Sequence, residues 1–130
     1  MTSRVASCSC GQLRVTCEGE PVRVSICHCL ECQKRTGSVF ATQARFPREA
    51  VTIEGRASQW TRRGDSGGTA TFNFCPACGS TVYWEIPGFA AVAVGNFADP
   101  NFPPPNFSVY EERQHPWALA AGQLPMEHMD

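Results

Sequence analysis

The stretch CHCLEC, residues 27–32, sets Cys27, Cys29 and Cys32 around His28 within a few positions. Two more cysteine pairs are as closely spaced: Cys8 and Cys10 in SCSCG, and Cys75 and Cys78 in CPACG. Cysteines this near one another suit a shared metal ion better than long-range disulfides, and the chain shows no export signal that would favour oxidation. Residues two apart on a strand face the same way, so Cys8 and Cys10 can both reach one ion. A tight turn through Pro76 and Ala77 brings Cys75 and Cys78 together, and Gly79 lets backbone amides approach their sulfurs. These four thiolates make the closed tetrahedral set of a structural zinc. Cys27, Cys29 and Cys32 supply only three, at a strand end and the first turn of a short helix. Three protein ligands with an exchangeable fourth are the pattern of a catalytic zinc. Two zinc ions are therefore expected, one structural and one labile and catalytic. Cys17 alternates with Leu13 and Val15 and reads as a small buried hydrophobe.

Three thiolates leave a zinc ion with net negative charge, so it activates water less than a three-histidine zinc does. Soft sulfur ligands suit a soft incoming partner, and a substrate thiol, held as the thiolate that attacks electrophiles, is the obvious one. The expected function is a zinc-dependent thiol-handling enzyme. The alternative is a non-catalytic zinc module for a protein or nucleic-acid partner, which would hold a single closed zinc. His28 should point away from its neighbours Cys27 and Cys29, in an outer or solvent-facing role, and is the nearby candidate proton acceptor. His115 and His128 read as ordinary polar histidines. Lys34 and Arg35, directly after Cys32, have two readings. They are a solvated helix end, or cations that offset the cluster's charge or meet a substrate carboxylate. The GDSGG segment copies a serine-protease nucleophile loop, but no aspartate lies between His28 and Asp65 to complete a triad in its usual order. Its glycines mark a flexible hairpin loop instead.

The elements that must position these residues are mostly strands. In QLRVTCE, Leu13, Val15 and Cys17 share one face, while Arg14, Thr16 and Glu18 share the other. The segments VRVSI (22–26), TATFNF (69–74) and STVYWEI (80–86) alternate similarly, and FAAVAV (89–94) suits a strand buried on both faces. Only LECQKRTG, 30–37, looks helical, with Gly37 as its stop. The proline-rich DPNFPPPN, 99–106, should wrap the surface without regular structure. The 130 residues fit one domain, 1–130, irregular from about residue 99. With a net charge of -1 and scattered basic residues, no nucleic-acid partner is expected. No apolar run is long enough to span a membrane, and the N-terminal stretch lacks the apolar core of a secretory signal. A soluble, cytoplasmic, mainly β protein is expected.

Together CSCGQLRVTCEGEP, ICHCLECQKRTGSVF and FCPACGSTVYW, with VGNFADP further on, resemble the glutathione-dependent formaldehyde-activating enzyme family, which includes centromere protein V relatives. The resemblance implies an Mss4-like arrangement of small coiled antiparallel sheets with one short helix and a zinc-stapled core. In it Cys8, Cys10, Cys75 and Cys78 match the structural zinc ligands, and Cys27, Cys29 and Cys32 the catalytic ones. It implies a carbon–sulfur lyase read in reverse, which condenses glutathione with formaldehyde to S-hydroxymethylglutathione. It assigns no residue to recognition of the thiol.

Overall fold

The computed structural model describes residues 2–64, 67–119 and 124–128. It is mainly β, with two sheets and, among the described residues, one α-helix. The smaller sheet holds β1 (Ser3–Ser7), β2 (Arg14–Glu18) and β5 (Val51–Glu54), with β2 in the middle and both pairings antiparallel. The alternation in β2 holds: Leu13, Val15 and Cys17 are fully buried, while Arg14 and Glu18 are exposed.

The larger sheet has seven strands. In spatial order they are β10 (Phe107–Val109), β3 (Arg23–Cys27), β4 (Ala41–Pro47), β9 (Phe89–Ala93), β8 (Thr81–Ile86), β7 (Thr69–Phe74) and β6 (Ser58–Arg63). All neighbours pair antiparallel except β10 and β3, which run parallel. One parallel edge, from β10, is added to the antiparallel sheets that the sequence predicts. It arises because the proline-rich stretch carries the chain across the molecule before it pairs again, and a strand fed by such a crossover can run parallel. The stretch 99–106 has no regular structure, after which the short strand β10 docks on β3.

One face of the large sheet packs on the small sheet. Leu13, Val15 and Cys17 meet Val24, Ala44, Phe46, Val82 and Val92 in the main core. Phe46 packs beside Phe97, which stacks on Phe102 at 4.6 Å and so anchors the proline-rich tail. In β8 a register shift opposite Asn73 and Phe74 lets Val82 and Tyr83 both join this core, while Trp84 turns to the other face. That other face carries one row across five pairings: Arg23, Arg45, Ala91, Trp84, Phe72 and Trp60. The helix α1 (Leu30–Thr36) follows β3 directly and ends, as the sequence predicts, at Gly37, whose φ of 70° an L side chain adopts with difficulty. The hairpin expected around GDSGG joins β6 to β7, although Asp65 and Ser66 lie outside the described residues.

Candidate functional site

The chain turn after β1 and the turn between β7 and β8 bring Cys8, Cys10, Cys75 and Cys78 together, with their sulfurs all within 4.8 Å of one another. The Cys8–Cys10 and Cys10–Cys75 separations are 3.6 and 3.7 Å. A tetrahedral zinc with Zn–S near ~2.3 Å has sulfur–sulfur edges of ~3.8 Å, and these two separations match that spacing. Backbone amides support the sulfurs: Leu13 donates to Cys8 at 3.3 Å, and Ala77 and Cys78 donate to Cys75 at 3.3 and 3.5 Å. Gln12 donates to Cys75 at 3.0 Å and, with those amides, holds that thiol down at about 6. Cys8 and Cys75 are buried, and Cys10 and Cys78 face the surface. This group closes on itself.

The second group differs in what surrounds it. Cys27 ends β3, Cys29 precedes α1, and Cys32 lies on the helix's first turn, with the three sulfurs mutually within 4.8 Å. The Cys29 sulfur accepts the Cys32 amide at 3.3 Å and so caps the helix, a role usually taken by serine or aspartate. Cys27 pushes the Cys32 thiol down to about 5, and Cys29 and Arg35 act in the same direction. Cys27 itself moves up, chiefly because it shares a proton with Cys32. Both groups could hold a metal ion. All three of these cysteines line a cavity of about 540 Å³, within the ~300–1,000 Å³ typical of small-ligand sites. None of the other four lines it. The three-sulfur group is therefore the one that opens on a cavity of ligand size, whereas the exposed Cys10 and Cys78 lie at the surface without lining it.

The structure separates Lys34 from Arg35. Lys34 is exposed. Arg35 reaches back to the Cys32 sulfur at 3.9 Å, with its guanidinium 4.4 Å from the Trp84 ring centre and 4.7 Å from that of Phe72. It offsets the cluster's charge while the two rings fix its position. His28 departs from expectation. It is fully buried beside Phe40 rather than solvent-facing, neither ring nitrogen has a hydrogen-bond partner, and it does not line the cavity. The polar end of the strand is pulled inside because its backbone N–H pairs with Val109 of β10. His115 bonds Gln33 at 2.9 Å, and Gln33 also donates to the carbonyls of His28 and Arg113, tying the tail to α1. His128 is exposed. Cys17 lies in the main core, and burial raises its thiol to about 12.

Two cavity residues escape the sequence reading: Arg23 and Arg45. A partial signal exists, since Arg23 and Cys27 are four apart on one strand and therefore share a face. Nothing local marks Arg45, whose place beside Arg23 is set by pairing between β3 and β4.

Residues 3–113 match the family described as glutathione-dependent formaldehyde-activating enzyme. No curated protein matches the chain. Among solved structures the chain is similar to a Rhodobacter sphaeroides protein, a structural-genomics target. The two are 18% identical, the match covers 71% of this chain and 85% of that one, and the TM-score is 0.53. That likeness concerns the fold.

Proposed function

From the chain's membership of the glutathione-dependent formaldehyde-activating enzyme family, we propose that it adds a small thiol, with glutathione the leading candidate, to formaldehyde or a similarly small aldehyde. This is the chemistry of a carbon–sulfur lyase run toward synthesis. We assign a structural zinc to Cys8, Cys10, Cys75 and Cys78, and a catalytic zinc to Cys27, Cys29 and Cys32. The observation that carries this reading is the contrast between a closed four-sulfur group and a three-sulfur group that opens on a cavity.

When bound there, zinc supplies a soft Lewis acid that lowers the pKa of a thiol. The reaction needs no oxidant: the thiol S–H adds across the carbonyl, a carbon–sulfur bond forms, and the proton ends on the new hydroxyl. The chain's own residues orient and desolvate. Trp84, Phe72, Ile86 and Val109 give the cavity apolar walls beside the three cysteines. Arg35, held between ring faces, keeps positive charge beside the Cys32 sulfur. With His28 sealed away from the cavity, proton transfer falls to the incoming thiol and solvent. Reduced thiols are needed throughout, which agrees with a cytoplasmic setting and with cysteines that are free in this structure. We take residues 1–130 as one functional unit. Carbon-13 exchange spectroscopy of formaldehyde with glutathione tests the reading. Exchange should accelerate in proportion to zinc-loaded protein and return to the uncatalysed rate in Cys29→Ser. No acceleration at any protein concentration would refute it.

A further inference from the structure

Arg23 on β3 and Arg45 on β4 are directly opposed across the antiparallel pair, and both line the cavity that holds Cys27, Cys29 and Cys32. Like charges directly opposite on a sheet repel, and such a pair persists only where something offsets it. Among the described residues no carboxylate does, since none pairs with either arginine. The Nε of each is buried without a hydrogen-bond partner. Burial and the charge of Arg23 both work against the charge on Arg45. The two side chains are nevertheless well placed. The Arg23 guanidinium lies 4.5 Å from the Phe107 ring centre, and that of Arg45 lies 5.4 Å from Phe89. Each guanidinium is thus held against a ring and has no carboxylate partner among the described residues, so its planar fork keeps the capacity to bind a carboxylate through two parallel hydrogen bonds. The wider cavity agrees in sign, since Arg35, Arg62 and Arg113 also line it and Glu31 is the one acidic residue among its described lining. A chain of net charge -1 has concentrated positive charge on this surface.

We propose that Arg23 and Arg45 form a clamp for a carboxylate of the thiol substrate, so that the site selects elongated, acidic thiols over small neutral ones. The proposal rests on the thiol-handling reading above and adds the residues that read the rest of the molecule. Arg23 and Cys27 lie four residues apart on one face of β3, so their Cα atoms are about 13 Å apart at ~3.3 Å per residue. The Arg23 guanidinium lies over Phe107, which pairs with Ser25, so it leans toward Cys27 and shortens that gap. A thiol of tripeptide length, extending about 10 Å, spans it. Free cysteine, whose carboxylate and sulfur are near neighbours, does not.

The test titrates the zinc-loaded protein calorimetrically with glutathione, glutathione dimethyl ester and S-methylglutathione. The wild type should bind the free acid about 10- to 100-fold more tightly than the ester, as expected for charged hydrogen bonds in a partly desolvated site. Arg23→Gln and Arg45→Gln should each cut that preference to within about threefold, and Arg45→Lys, which keeps the charge but loses the fork, should fall between. Each glutamine variant trades a ring contact for relief of like-charge repulsion, so both should melt within a few degrees of wild type. A binding loss in a variant shown to be folded at the assay temperature cannot then be put down to unfolding. Equal affinity of wild type for acid and ester overturns the clamp, as does full discrimination surviving in either glutamine variant. S-methylglutathione separates the two ideas, since its sulfur carries no proton to lose. If it binds in an Arg45-dependent way while no thiol reaches the metal site, the clamp stands and the thiol chemistry alone falls.

Discussion

Cys75→Ala should remove most of the protein's stability, whereas Cys29→Ser should leave the fold intact. The difference follows from what each sulfur group ties together. Cys10 and Cys75 are 65 residues apart, so a metal bridge across their group closes a long loop between the two halves of the chain. Treated as a cross-link, a loop of that length stabilises by about 4 kcal/mol through the unfolded state. Total stabilities of small domains are ~5–15 kcal/mol, so the loss is about a quarter or more of what exists. Cys27 and Cys32 enclose a loop of only five positions, for which the same reasoning gives about 2 kcal/mol as an upper bound. Cys29→Ser leaves both of those residues in place. Serine is the right probe here because the Cys29 sulfur caps α1, and alanine would add the loss of a cap, about 1 kcal/mol. Urea unfolding of zinc-loaded protein, followed by the fluorescence of buried Trp84, measures both variants. At a slope of ~2 kcal/mol per molar, the Cys75→Ala midpoint should fall by about 2 M or the transition should vanish, and that of Cys29→Ser should fall by under about 1 M. Equal midpoints for the two variants would refute the division into a structural and an open group.

Two further outcomes follow from the same structure. Arg35→Gln removes two ring contacts worth on the order of 0.5–1 kcal/mol each, so the melting temperature should drop by about 3–10 °C; an unchanged melting temperature would show that the stacked guanidinium holds nothing in place. Burial raises Cys17 from 9.0 to about 12, so its neutral thiol contributes stability that is complete below pH 9.0 and lost as pH rises toward 12. Cys17→Val should flatten that alkaline loss, and in the wild type Cys17 should resist iodoacetamide at pH 8 until the protein unfolds; rapid alkylation of native Cys17 would contradict its burial.

What could be read from the sequence was whatever depends on near neighbours. The face shared by Leu13, Val15 and Cys17, the strand Thr69–Phe74 and the helix Leu30–Thr36 with its Gly37 stop all rest on local periodicity or capping. The two cysteine pairs and the triplet were legible for the same reason, whereas the meeting of Cys8 and Cys10 with Cys75 and Cys78 across 65 positions is set by the fold. The parallel docking of Phe107–Val109 on β3 was not, since three residues carry no periodic signal and the pairing joins segments some 80 positions apart. His28 was misread toward solvent because its burial depends on that same distant strand. The opposition of Arg23 and Arg45 was equally hidden, being a matter of register between strands rather than of either strand's sequence.

The central claim is that the Cys27, Cys29 and Cys32 group accepts a thiol from solution and the other group does not. Replacing zinc with cobalt at the labile site and titrating with glutathione while recording the optical spectrum tests this directly. The sulfur-to-metal charge-transfer band should strengthen saturably with glutathione, and the response should be absent in Cys29→Ser. A spectrum that glutathione leaves unchanged, or one that responds equally in Cys29→Ser, would contradict the account.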